Sequence, residues 1–170
     1  MWLDWKRCMK MREDGIHRWF PMFFDLEKWR ILVVGGGKIA QRRVQTLLEF
    51  APGHIRVVAR EMGGAFEKWR GLPNIELSER DFQPEDLAGC QMAIAATDDR
   101  ELNRRIGEAC RGRGILVNVA SDRSLCDFHF PGVVLKDAVT VGINASGCDH
   151  GLAKRTREQI QMFLDQGGRR

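Results

Sequence analysis

Residues 31–40 read ILVVGGGKIA. No other ten residues constrain this chain as tightly: a buried strand must end in a sharp turn, and a helix must begin at once. The run Ile31 to Val34 has the continuous apolar character of a central strand covered on both faces. The glycine segment fits G-x-G-x-x-A, with Gly35 for the turn, Gly37 for close approach of a pyrophosphate and Ala40 for tight packing of helix on strand. Gly36 completes the triplet, and the amides of Lys38 and Ile39 at the helix start would face phosphate oxygens. A dinucleotide site is therefore expected at Gly35, Gly36, Gly37, Lys38, Ile39 and Ala40. Any strand-to-helix joint that needs glycine would look similar, so the surrounding elements decide its weight.

Those elements alternate. From Lys38 the apolar positions Ala40, Val44, Leu47 and Leu48 recur at helical spacing until Pro52 and Gly53 break the run. HIRVVAR (54–60), NIELSER (74–80), CQMAIAAT (90–97) and GILVNVA (114–120) read as further strands. Asp98 is expected to cap a helix with Glu101 as its capping-box partner, and Leu102, Ile106, Ala109 and Cys110 form that helix's apolar stripe. Strand and helix in alternation predict an α/β fold with a Rossmann-like parallel sheet. After Ala120 the texture changes: VVLKDAVTVGIN (133–144) predicts an antiparallel hairpin. A last helix from about Asp149 carries Leu152, Thr156, Ile160, Phe163 and Leu164 on one face. A hairpin and one helix cannot bury their own apolar faces, so a second subunit is expected and the chain should be a homodimer. The expected division is an extension at 1–19, a nucleotide-binding domain at 20–120 and a dimerisation and substrate region at 121–170.

Composition narrows the classes. Hydrophobic residues make up 44% and charged residues 29%, as in ordinary soluble proteins. No apolar run approaches the roughly 20 residues of a membrane helix, so no membrane partner is expected. The basic, Trp-rich start MWLDWKRCMKMREDGIHRWF lacks the apolar core of a secretory signal. Five scattered cysteines without a C-x-x-C pair point to the reducing cytoplasm, with neither a disulfide framework nor a structural zinc site. The net charge of +4 comes without a long basic run, which argues against nucleic acid and for an anionic small molecule.

The second strand ends in Arg60 and Glu61 rather than a lone acidic residue. Arg60 would accept the 2′-phosphate of NADP, Glu61 the ribose of NAD; the sequence leaves both open. AATDDRELN (95–103) places Thr97, Asp98 and Asp99 on the carboxyl edge of the sheet, where open α/β folds bind ligands; helix capping explains part of that pattern. Asn118 interrupts an apolar strand, either as a sheet-end hydrogen-bonder or as a wall of the nicotinamide site. SDRSLCDFHFPG (121–132) leaves the same edge with Ser121, Asp122, Cys126, Asp127 and His129, where a carboxylate would exchange protons with substrate. Cys126 and His129 alone do not make a zinc site, so no resident metal is expected.

With these pieces in order, the chain resembles the precorrin-2 dehydrogenase/sirohydrochlorin ferrochelatase family, of the siroheme-synthase amino-terminal type. The likeness runs over about 20–162. It rests on FPMFFDLEKWRILVVGGGKIAQRR, AIAATDDRELN, VNVASDRSLCDFHFP, TVGINASG and LAKRTREQI in that order. The resemblance implies NAD-dependent oxidation of the tetrapyrrole precorrin-2 to sirohydrochlorin, with ferrous iron as a second substrate in members that also insert metal. It also implies an acid/base aspartate shortly after the VN pair. Some members carry it three residues after the asparagine, where this chain has Ser121; Asp122 lies one later and is the candidate here. Precorrin-2 carries several carboxylates, and Arg42, Arg100, Arg104, Arg105 and Arg123 stand near the expected edge.

The chain also departs from the pattern. The loop that commonly reads Gly-x-Ser-Pro is here NASGCDHG (144–151), with Asp149 and His150 at the Ser-Pro positions, and the chain ends at Arg170 without the helical domain of longer members. Two other functions stay open: a metal chelatase without dehydrogenase activity that uses the same cleft, and a non-catalytic nucleotide-sensing module, which these departures favour.

Overall fold

The computed structural model describes residues 19–145 and 150–167. The extension before Trp19, Cys8, Cys148 and the middle of the NASGCDHG loop (146–149) lie outside the described residues.

Residues 24–129 form one compact unit. Its five strands are β1 (Arg30–Val34), β2 (His54–Ala59), β3 (Ile75–Glu79), β4 (Met92–Ala95) and β5 (Leu116–Val119). All pair in parallel, in the order β3-β2-β1-β4-β5. Helix α1 (Lys38–Leu48) joins β1 to β2, and helix α2 (Arg100–Arg111) joins β4 to β5. The Rossmann-like α/β class expected from the sequence is borne out. Two crossovers carry a 3-10 turn in place of an α-helix: Gly64–Trp69 links β2 to β3 and Pro84–Leu87 links β3 to β4. The first anchors itself by burying Phe66 and Trp69, whose rings meet edge to face at 5.3 Å.

Register explains the burial. Val33 lies opposite Val57 and Ile94, and Ile94 opposite Asn118. Successive side chains leave opposite faces of a strand. Leu32, Val34, Ala93, Ala95, Val117 and Val119 thus meet Ile106 and Cys110 of α2 in one cluster. Ile31, Val33, Val57 and Ile94 turn to the other face, and α1 buries Ala40, Val44 and Leu47. Truncating any of the large aliphatic residues to alanine costs about 2–5 kcal/mol.

Several details differ from the sequence reading. The cap of α2 is Asp99, whose carboxylate accepts from the Leu102 amide at 2.9 Å, and not Asp98. Asp98 belongs to the turn before the helix, one residue too early for its side chain to reach the first free amides. The buried stripe of α2 is Asn103, Ile106, Gly107 and Cys110; Leu102 and Ala109 are its half-buried flanks. Strands β2 to β5 are shorter than the runs that signalled them, and β3, β4 and β5 lose residues at both ends.

The other unit holds residues 19–23, 130–145 and 150–167. Strands β6 (Gly132–Lys136) and β7 (Val139–Ile143) form the expected antiparallel hairpin. Its two-residue turn places Asp137 at φ 50°, a left-handed conformation that aspartate tolerates. Helix α3 (His150–Asp165) crosses β6 at Gly132, where a Cβ would meet the Arg157 side chain at 3.7 Å, and Lys136 reaches Asp165 at 3.5 Å. On the expected apolar face Thr156, Ile160 and Leu164 are half-buried, while Leu152 and Phe163 are exposed. Exposed too are Leu135, Val139 and Met162.

Candidate functional site

Strand order reverses between β1 and β4, and an open α/β sheet forms its ligand crevice beyond the strand ends at such a point. A cleft of about 680 Å³ lies there. That is the size of a small-molecule site, for which about 300–1,000 Å³ is usual.

The three glycines that line it have different duties. Gly35 has φ 128°, and a Cβ on it would stand 2.4 Å from the Ala96 carbonyl oxygen. A Cβ on Gly36 would stand 1.9 Å from the Glu61 carbonyl oxygen. Both positions are closed to side chains by the protein's own backbone. Gly37 is not: a Cβ there meets nothing within 4 Å. Its backbone is ordinary extended chain, and it caps α1 without a side-chain hydrogen bond to the helix. The first turn of α1 also contains no acidic residue. A glycine with open space before an uncapped helix start is the arrangement that admits a phosphate to the amides. The residues present therefore fit an NAD(P) pyrophosphate.

Arg60, Glu61, Thr97 and Asp98 also line the cleft. Arg60 stands 3.9 Å from the Asp81 carboxylate, and both side chains are exposed, so this pairing is weak. Lys38, Ile39 and Ala40 follow at the helix start: Lys38 and Ile39 are exposed and Ala40 is fully buried against the sheet.

Asn118 sits within β5, buried, and donates to the Phe128 carbonyl at 2.8 Å. Its Oδ1 is buried with no hydrogen-bond partner among the described residues. Asp122 is exposed and starts a 3-10 turn at Arg123–Leu125. Its Oδ1 accepts from the Ser124 hydroxyl at 2.7 Å and the Ser124 amide at 2.9 Å. These two donors hold the Asp122 carboxyl below the usual carboxylate range, helped by Arg111. Neither Asn118 nor Asp122 lines the cleft itself. Both belong to the neighbouring end of β5 and the turn after it.

Cys126 folds back on β5, accepting from the Val119 amide at 3.2 Å and donating to its carbonyl at 3.3 Å; burial pushes its thiol pKa up. Among the described residues no group of three or more His, Cys, Asp or Glu side chains could hold a metal ion.

The sequence reading missed part of the lining. Met62, Gly63, Arg80, Asp81, Phe82 and Leu102 also border the cleft. Arg80 and Asp81 follow β3 on the carboxyl edge, so extending the edge rule from β2 and β4 to β3 would have found them. Arg80 is fixed there by the buried Asp86 carboxylate, at 2.8 and 2.6 Å. That contact, with the Gln83 amide, holds the Asp86 carboxyl below its usual range against the opposing effect of burial.

The family model NAD_binding_7, described as "Putative NAD(P)-binding", matches residues 22–132. The chain belongs to this NAD(P)-binding family. Siroheme synthase 1 of Pectobacterium atrosepticum is 36% identical over 146 residues, 86% of this chain and 30% of that protein. The siroheme synthase of Photorhabdus laumondii is 37% identical over 86% of this chain and 31% of its own length. This member of the NAD(P)-binding family thus spans about a third of the curated relatives it matches. Among solved structures, SirC, precorrin-2 dehydrogenase, superposes with a TM-score of 0.72 and 26% identity over 85% of this chain and 70% of that one. The resemblance drawn from the ordered motifs is borne out by these relatives.

Proposed function

We propose that this chain oxidises precorrin-2 to sirohydrochlorin with a nicotinamide cofactor, as a step of siroheme formation. The observation that carries the reading is the likeness to SirC, precorrin-2 dehydrogenase, over 85% of the chain, on a sheet whose crevice is lined by Gly35, Gly36 and Gly37.

The oxidation removes a hydride and a proton from the macrocycle. NAD, when bound, supplies the hydride acceptor. Gly37 and the start of α1 would hold its pyrophosphate, and Glu61 or Arg60 would meet its adenosine ribose. The proton goes to a carboxylate at the substrate edge, for which Asp122 is the residue at hand. It is ionised at neutral pH, and its Oδ2 carries no hydrogen bond among the described residues. Arg42, Arg100 and Arg105 on α1 and α2 supply cationic charge for the substrate's carboxylates; Arg104 is already engaged by Glu101 and Glu108.

NAD is the proposed cofactor, with Glu61 on the ribose hydroxyls; a phosphate-bearing NADP would instead recruit Arg60. The nucleotide domain is assigned to 20–120, and 121–170 to substrate binding and dimerisation. The exposed apolar groups Leu135, Val139, Leu152, Met162 and Phe163 favour a homodimer, which sedimentation tests. Free thiols at Cys90, Cys110 and Cys126 suit the cytoplasm. No helix among the described residues is long and apolar enough to cross a membrane.

The test is turnover of precorrin-2 with NAD and with NADP in separate incubations, with iron insertion scored separately on supplied sirohydrochlorin and ferrous ion. Nicotinamide reduction supports the reading. Iron insertion that ignores nucleotide, without any reduction, would replace it with a chelatase.

A further inference from the structure

Asn103 is a polar side chain with no exposure, placed on the core-facing stripe of α2. A buried amide is costly unless its donors and acceptor are satisfied, and here all are. Its Oδ1 accepts from the Thr97 backbone amide at 3.1 Å, and its Nδ2 donates to the Thr97 carbonyl at 2.9 Å. This two-point contact fixes which end of the amide is oxygen, because the reverse assignment would oppose donor to donor and acceptor to acceptor. The Thr97 hydroxyl lies 2.8 Å from the same Oδ1 and 3.0 Å from the Asp99 carbonyl. The second Nδ2 hydrogen then has one acceptor, the Ser121 hydroxyl oxygen at 3.2 Å.

That last bond joins the two strand ends just beyond their final backbone bond, from the Ala120 amide to the Ala95 carbonyl at 2.9 Å. Thr97 follows β4 and lines the cleft, and the carbonyl before it closes on Gly35. Ser121 follows β5 and immediately precedes Asp122. With a lone pair taken by Asn103, the Ser121 hydroxyl turns its hydrogen away from α2. The residue is exposed, and that hydrogen has no acceptor among the described residues.

We propose that Asn103 is a positioning residue which sets the Ser121 hydroxyl as a hydrogen-bond donor to the substrate, in register with the cofactor wall at Thr97. The inference deepens the dehydrogenase reading and rests on it. Helix packing alone would be better served by leucine or alanine at position 103, as at neighbouring Ile106 and Cys110. From this point of α2 one side chain reaches both strand ends.

The experiment is a double-mutant cycle in the full chain. Ser121→Ala, Asn103→Ser and the pair are compared for precorrin-2 turnover, nucleotide dissociation constant and melting temperature. Ser121→Ala is expected to lower kcat by about tenfold with nucleotide affinity unchanged, while the melting temperature falls by a few degrees because the buried Asn103 Nδ2 loses its acceptor. Asn103→Ser also loosens Thr97, so it lowers melting temperature, nucleotide affinity and kcat, but its kcat loss is several-fold smaller once Ser121 is alanine; such non-additivity is the mark of residues sharing a contact. Independent, additive losses, or wild-type kcat in Ser121→Ala, overturn the proposal while leaving the dehydrogenase reading standing. Absence of turnover in the unmodified chain, with nucleotide bound, overturns the reading itself and this inference with it.

Discussion

Residue 35 touches the chain at Ala96 so closely that a Cβ there would lie 2.4 Å from the Ala96 carbonyl oxygen. Gly37, two residues on, faces open space. The two glycines should therefore fail differently. Gly35→Ala must relieve both a backbone clash and a left-handed φ, and is expected to cost at least about 2 kcal/mol of stability. Gly37→Ala should melt within a degree or two of the parent, since an extended backbone accepts any residue, yet bind NAD about tenfold or more weakly. Calorimetry and nucleotide titration on the two variants check this.

Arg80 and Asp86 give a prediction about acid. The carboxyl of Asp86 is ionised more easily in the folded chain than in the unfolded one, so the pair's stabilisation is complete above the ordinary aspartate range near about 4. It is lost as pH falls through the lower folded value. Asp86→Asn should cost about 1–3 kcal/mol at neutral pH, and the gap between variant and parent should close as pH drops below about 4. Urea melts across that range measure it; a gap independent of pH would assign the loss to packing.

Ser124 holds Asp122 in its ionised form. Ser124→Ala removes the hydroxyl donor at 2.7 Å and should raise the Asp122 pKa towards the ordinary value. The acid limb of the kcat/KM profile should then move to higher pH, with the neutral plateau little changed. An unmoved limb would show that another group accepts the proton.

Ala51, two residues beyond the Glu49 cap of α1, has φ 44°, where an L side chain is strained. Ala51→Gly should stabilise the chain by about 0.5–1 kcal/mol, the relief of left-handed strain less the entropy glycine adds to the unfolded state. Thermal melting checks the sign.

Cysteine chemistry tests the core. Burial pushes the Cys110 thiol up to about 12 and raises Cys90 and Cys126 as well. Iodoacetamide at mildly alkaline pH should leave Cys110 unlabelled in the native chain and label it in denaturant, as thiolate and access appear together.

Much of this arrangement was legible in the residues. The strand at Ile31 to Val34, its glycines and the helix behind them are specified by local chemistry, since only glycine fits at 35 and only apolar side chains fit between two layers. Asn103 was harder to read: on sequence it is one polar residue in a helix, and its spacing with Ile106, Gly107 and Cys110 is the sole sign that it points inward. The cap at Asp99 rather than Asp98 depends on a turn of one residue, which adjacent aspartates cannot reveal. Arg80 and Asp81 entered the site through sheet order, because β3 flanks β2 and brings its carboxyl end to the same crevice. The exposed Leu152 and Phe163 show the limit of periodicity, which finds an apolar face but not what covers it.

The most direct test of the central claim is stoichiometry in a single anaerobic incubation of the chain with precorrin-2 and NAD. Sirohydrochlorin and reduced nicotinamide should appear together in equal molar amounts. Sirohydrochlorin formed without reduced nucleotide, or no product from folded chain that binds the nucleotide, would contradict it.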